Sequence, residues 1–166
     1  MKKINPVILW IIILTILAIT GIIVAIFYSG SGTQAPVYSI TDQERPKLEI
    51  SEKKFDFGNI KVSDKKTKDI AIKNNGTKPL ALNNFSSSCN CTFIQVVINE
   101  EKSPEFNMHS NSRWQKELQP NQTATLKITY QPSLMPVEGS VSRTAFFKTN
   151  DPENPEVNIE FNALVE

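Results

Sequence analysis

Cys89 and Cys91 are the residues whose type and spacing come nearest to chemistry in this sequence. In an extended segment, positions i and i+2 point to the same face, so the two sulfurs lie on one side of the chain. Three readings of the pair stand open. Both can be small thiols packed at the start of a strand. They can close a disulfide in an oxidising compartment, which needs a local bend, because an extended segment holds the two Cα atoms near the upper limit for a bridge. Or two thiolates on one face can hold a soft cation such as Cu(I), with the adjacent Met108 and His109 as extra ligands. Taken alone, His109 reads as a solvated loop residue. A thioredoxin-type redox enzyme is not indicated, since no C-x-x-C precedes a helix and no βαβ pattern is present. Two cysteines and one histidine also fall short of the roughly four ligands of a structural zinc site.

Catalysis finds no other footing. There is no G-x-S-x-G serine, no HExxH and no glycine-rich phosphate loop. The acidic pairs Glu100-Glu101 and Asp151/Glu153 read as solvated loop residues. With 18 basic and 17 acidic side chains the net charge is +1, and no nucleic-acid-type basic surface is expected. The sequence predicts no enzyme.

The elements that must position these residues fall into two parts. Val7 to Tyr28 is an uninterrupted apolar run broken only by Thr15, Thr20 and Gly21. As a helix it reaches about 33 Å, enough for a ~30 Å hydrocarbon core. It is too long for a signal-peptide core and is read as a retained transmembrane anchor. Lys2 and Lys3 before it place residues 1–6 in the cytoplasm and the remainder outside, a single-pass protein of the cell membrane. Residues 29–46, rich in Ser, Gly, Thr and Gln, read as a flexible linker.

Residues 47–166 read as strands. Ala124, Leu126, Ile128 and Tyr130 alternate with Thr123, Thr125, Lys127 and Thr129. Val157, Ile159, Phe161, Ala163 and Val165 mark a final half-buried strand. Ile70 and Ile72 precede Asn75-Gly76, a hairpin-type turn in which both residues tolerate positive φ. Phe55 and Phe57 bury one face of an edge strand, with a bend at Gly58. About seven short strands with turn signals between them predict an all-β, Ig-like sandwich. Cys89 and Cys91 are too close in sequence to be an antibody-type bridge between sheets. Residues 99–116 read as a polar surface loop in which Phe106 and Trp114 are isolated aromatics suited to anchoring a partner.

FDFGNI (Phe55 to Ile60), IKNNGTKPLAL (Ile72 to Leu82), SSCNCT (Ser87 to Thr92), LQPNQTATLKITYQP (Leu118 to Pro132) and EGSVSRTAFFKTNDPENPEV (Glu138 to Val157) follow one another in that order. The chain thereby resembles a bacterial family of uncharacterised Ig-like domains with an SCGCT-type signature. That family is similar in fold to ASH (hydin-type), PapD-like and major sperm protein domains. The resemblance covers residues 47–166. Asn90 stands where the family has Gly, and residues 95–117 form a longer connection than usual. What the resemblance implies is a non-enzymatic envelope module that binds another envelope protein or scaffolds an assembly, with strand edges suited to β-augmentation. The alternative is a copper-binding or thiol-redox accessory protein using Cys89 and Cys91.

Overall fold

The computed structural model describes residues 6–28, 35–110 and 113–166, and within the N-terminal helix the side chains of residues 7–22. The expected cytoplasmic residues 1–5, part of the linker (29–34) and residues 111–112 of the insert lie outside the described residues. The chain divides into two compact units, residues 1–35 and 36–166.

The first unit is one helix, α1 (Pro6–Tyr28). Its described side chains are exposed and, apart from Thr15 and Thr20, apolar. The hydroxyls of Thr15 and Thr20 donate to the carbonyls of Ile12 and Ile16 in the preceding turn. Among the described residues no helix is long and apolar enough to cross a membrane. The described side chains end at residue 22, about 24 Å of helix against a ~30 Å core, so the expected span from Val7 to Tyr28 is not carried by them.

The second unit is all-β. Its strands are β1 (Leu48–Ile50), β2 (Lys54–Ile60), β3 (Lys66–Asn74), β4 (Leu80–Ser87), β5 (Thr92–Ile98), β6 (Glu101–Lys102), β7 (Gln115–Leu118), β8 (Thr123–Tyr130), β9 (Gly139–Thr149) and β10 (Glu156–Val165). They form two five-stranded sheets, ordered β1-β3-β8-β5-β6 and β2-β10-β9-β4-β7. Alternation dictates the faces. Ala124, Leu126, Ile128 and Tyr130 of β8 are buried, as are Val157, Ile159, Phe161, Ala163 and Val165 of β10, and the two sets meet in one core. Phe55 and Phe57 do line the inner face of an edge strand, β2, which runs parallel to β10. Gly58 takes φ +70° there, and the register of the pair slips one step on β2, between its partners Asn162 and Leu164.

Three expectations need correction. Asn75-Gly76 is not a hairpin, because β3 and β4 belong to different sheets and neither residue has positive φ. Glycine is required for another reason: a Cβ at Gly76 would stand 2.3 Å from the Arg45 carbonyl oxygen and 2.5 Å from the Lys47 nitrogen. Secondly, Arg45 and Pro46, read as linker, are buried. The Arg45 guanidinium pairs with Asp151 at 3.4 Å and Glu153 at 2.5 Å, and Asp151 is itself buried rather than solvated. Thirdly, the insert is not merely a surface loop. It supplies the edge strands β6 and β7, one to each sheet, and Phe106 between them is 1% exposed.

Candidate functional site

The poles of the sandwich differ in chemistry. At the proximal pole, where the chain arrives from the linker, the buried polar side chains Asn74 and Asp151 are tied by hydrogen bonds. Asn74, fully buried at the end of β3, accepts from the backbone N–H of Gly76 (2.9 Å) and Lys47 (3.3 Å) and donates to the carbonyls of Lys78 (2.8 Å) and Leu118 (2.9 Å). Asp151 accepts from the N–H of Leu48 and of Glu153 and from the amide of Asn154. The N-N-G and T-N-D-P motifs, distant in sequence, thus both serve one purpose: they lock the arriving segment onto the sandwich.

The distal pole carries the cysteines. β4 ends at Ser87, the chain bends through Ser88, Cys89 and Asn90, and β5 begins at Thr92 in the opposite sheet. Cys89 and Cys91 are joined as a disulfide with Cα atoms 5.2 Å apart. The turn supplies the bend that an extended segment lacks. Bonded sulfurs carry no thiolate, so neither the free-thiol reading nor the two-thiolate copper site describes this state. Both half-cystines are buried, and Ser87 Oγ, 2.8 Å from the Cys89 and Thr92 carbonyls, ties the turn. The Cys89 sulfur lies 3.2 Å from Thr92 Oγ1, and the Gln131 N–H donates to the Cys91 carbonyl.

The other proposed ligands sit on a loop tied by local bonds. Met108 and His109 are exposed on a loop that closes on itself, with the Asn107 N–H donating to Ser110 Oγ at 2.7 Å and the His109 N–H to Asn107 Oδ1 at 3.0 Å. Among the described residues no three His, Cys, Asp or Glu side chains gather to hold a metal ion. Phe106 is buried rather than displayed, while Trp114 keeps part of its surface exposed. Phe106 exchanges both backbone hydrogen bonds with Ile94 at 2.8 Å and stacks on Phe85 at 5.2 Å. Trp114, half-buried, packs 5.6 Å from both rings. Apolar rings beside an open core are worth more inside it than in water, and that decides their place.

Sequence reasoning missed two features of the distal pole. The first is apolar exposure. From residue 45 onward, the exposed large apolar side chains are Met108, Leu134, Met135, Val137 and Leu164, and the last four, 41–50% exposed, share this pole. Leu134 to Val137 lie on the connection leaving β8, and Leu164 pairs with Ser140 at the start of β9. The run S-L-M-P-V was the available signal, hidden because single apolar loop residues are ordinary.

The second is Arg143. Its cross-strand partner on β10 is the buried Phe161, so it shares the inward face with Val141, Ala145 and Phe147. The Phe161 ring lies 5.3 Å from that of Tyr130 on the opposite sheet. Ser87 pairs with Ala145, and Ser88 exchanges hydrogen bonds with Thr144, which brings the Cys89–Cys91 turn alongside Arg143. Arg143 Nε, the Tyr130 hydroxyl and Asn90 Oδ1 are all buried without a hydrogen-bond partner. Burial pushes the Tyr130 phenol above its ordinary range, and the nearby Arg143 charge pulls it partly back.

Two five-stranded sheets packed on one core make this an Ig-like sandwich. The sequence model of the HYDIN/CFA65/VesB-like Ig-like domain matches residues 46–163, and the chain belongs to that family. No curated protein matches it. Among solved structures it is similar to a protein of unknown function from Porphyromonas gingivalis W83, at 20% identity and TM-score 0.55 over 76% of this chain and 50% of that one. It is similar to the ASH/PapD-like domain 7 of human CEP192, at 15% identity and TM-score 0.50 over 81% of this chain and 95% of that domain. It also resembles part of a family 123 glycoside hydrolase from Clostridium perfringens, at 10% identity and TM-score 0.53, covering 74% of this chain and 27% of the enzyme. At these identities the likeness establishes the fold alone. The chain spans half of the first of these proteins and about a quarter of the third.

Proposed function

We propose that the chain is a non-enzymatic protein-interaction module, held at the cell membrane by α1 with its sandwich on the extracytoplasmic side. The observation that carries the interaction reading is the gathering of Leu134, Met135, Val137 and Leu164 at the pole opposite the chain's arrival. Four exposed apolar side chains at one end of a domain of this size mark that place for contact. Anchoring is supported by the sequence run from Val7 to Tyr28 and by the threonine hydroxyls of α1, which bond within the helix. An extracytoplasmic location agrees with Lys2 and Lys3 ahead of the run and with an oxidised cysteine pair.

Photo-crosslinking in intact cells tests this. A benzophenone amino acid at Val137 of the full-length chain should give protein adducts, while the same group at Thr125, on the outer face of β8, should give few. Protease added to spheroplasts should digest the sandwich. Equal adducts from both positions would remove the pole as the contact surface, and a protected sandwich would remove the topology.

A further inference from the structure

The Cys89–Cys91 bridge encloses a single residue, Asn90. The hold of a disulfide on the unfolded chain rises with the loop it closes, and a loop this short leaves that chain almost as free as before. What the bridge restricts is the native turn. The exposed apolar segment hangs from the same turn. The Gln131 N–H donates to the Cys91 carbonyl at 2.9 Å, and Gln131 opens the 3-10 turn Pro132–Leu134. The remaining backbone bonds of that segment are internal, Leu134 N–H to the Gln131 carbonyl and Met135 N–H to the Pro132 carbonyl. Among the described residues, Gln131 to Cys91 is thus the one backbone hydrogen bond tying residues 131–135 to another part of the chain. Leu134 and Met135, 50% and 43% exposed, follow directly.

The bridged turn also leaves hydrogen bonds unmade. Asn90 Oδ1 is a buried acceptor without a donor, while the Tyr130 hydroxyl and Arg143 Nε are buried donors without an acceptor. The ladders bring all three to one place. Thr92 pairs with Tyr130, and Ser88 exchanges bonds with Thr144, the neighbour of Arg143. Buried donors and an acceptor left apart at one turn cost free energy that another conformation of the turn would recover. While the bridge is closed, the chain from Cys89 to Cys91 has little freedom to reach it.

We infer that the Cys89–Cys91 pair is a thiol–disulfide switch on the distal contact surface. Oxidised, it fixes the turn and, through Gln131, the segment that displays Leu134 and Met135. Reduced, it frees Asn90 to turn toward Tyr130 and Arg143 and loosens the hold on Gln131. The inference rests on the interaction reading above and adds its regulation. The reductant is a dithiol. One of its thiolates attacks the Cys89 sulfur, the more exposed of the two, the sulfur–sulfur bond breaks, and Cys91 leaves as a thiolate that takes up a proton. The second thiolate then attacks the dithiol's own sulfur in the mixed disulfide and releases Cys89, which is protonated in turn. Two electrons and two protons pass to the pair, and the dithiol becomes a disulfide. Thr92 Oγ1, 3.2 Å from the Cys89 sulfur, is placed to donate to that sulfur as it is released.

Amide hydrogen exchange on the full-length chain, read by mass spectrometry with and without dithiothreitol, tests the switch. Reduction should speed exchange at Gln131 at least tenfold and raise it across residues 88–92, while residues 157–165 of β10 keep their protection. Cys89→Ser/Cys91→Ser should show the reduced pattern in either buffer. Equal exchange at Gln131 in both states would overturn the inference. So would loss of protection along β10 on reduction, because the bridge would then be a staple of the whole fold. A pair that excess dithiothreitol opens only when the sandwich unfolds would overturn it as well. In cells, a benzophenone at Val137 should give adduct yields that differ at least threefold between the oxidised chain and the double serine variant. Equal yields would remove the switch and leave the contact surface standing. No adducts from either, with the exchange difference intact, would remove the interaction reading and leave the redox response of the turn.

Discussion

Replacing Asn74 by Leu should be among the most damaging single changes in the sandwich, although the side chain touches no site. Four hydrogen bonds converge on its amide, and the residue is fully buried. Leucine is close in volume, so the packing loss is small. The loss lies in the backbone groups left behind. The Gly76 N–H and the Leu118 carbonyl are buried, and each buried group without a partner costs about 1–3 kcal/mol. The Lys47 N–H and the Lys78 carbonyl are partly buried and regain water more easily. The sum is about 3–5 kcal/mol, a large share of the ~5–15 kcal/mol that holds a domain together. At roughly 3–6 °C per kcal/mol for a domain of this size, the melting temperature should fall by about 10–25 °C. Urea denaturation of the full-length chain should show a lower midpoint with an unchanged m-value. Asn74→Asp should be at least as harmful, because a second oxygen would then face the two carbonyls. Asn75→Ala, an exposed neighbour in the same motif, should cost under about 0.5 kcal/mol. If Asn74→Leu costs less than about 1 kcal/mol, or no more than Asn75→Ala, the lock on the arriving segment is not what these bonds provide.

Further outcomes follow from the same geometry. Gly76→Ala should unfold the domain or displace residues 45–47, since the added methyl meets three backbone atoms inside 2.7 Å, and loss of amide-exchange protection in that segment would report it. Phe106→Ala should cost about 3–5 kcal/mol in chemical denaturation, as expected for a buried ring stacked on Phe85 and not for a loop residue. Reducing Cys89–Cys91, or replacing both by Ala, should lower stability by only about 1–2 kcal/mol, because so short a loop removes little entropy from the unfolded chain. Above pH ~10 the domain should lose stability, since the Tyr130 pKa is raised on folding and the folded state holds its proton longer than the unfolded one; a Tyr130→Phe variant, measured by alkaline melting, should lose that part of the decline.

Periodicity made most of the sandwich legible. A period of two over β8 and β10 names the buried side chains residue by residue, because register on a half-buried strand leaves only one face for them. What periodicity does not encode is which strands neighbour which. The parallel pairing of β2 with β10 and the passage of the chain between sheets at Asn75–Pro79 depend on contacts distant in sequence, and Asn-Gly carries the same local signal in a hairpin as in a crossover. Phe106 was unreadable for a related reason: an isolated ring in a polar stretch has no period, and only the open edge of β5 shows that it has somewhere to go. The cysteines were legible as a pair, but the choice between thiols and a bridge depends on a bend at Asn90, and no alternation reports a bend. Arg143 was invisible because a charged residue in a strand is taken to face water until its partner across the ladder is known.

The two poles also explain each other. Asn74, Gly76 and Asp151 bring the chain in at one end, where the buried Asn74 and Asp151 side chains are fully used in holding residues 45–48. At the other end three buried polar atoms, Arg143 Nε, the Tyr130 hydroxyl and Asn90 Oδ1, lack a hydrogen-bond partner, four apolar side chains are exposed, and a bridge closing a very short loop ties the crossover. A bridge of that kind is better understood as positioning than as reinforcement. It fixes the turn between β4 and β5, whose Ser87 and Ser88 are tied to Ala145 and Thr144 of β9 beside Arg143. Reduction should therefore change recognition at the distal pole more than it changes the melting of the fold.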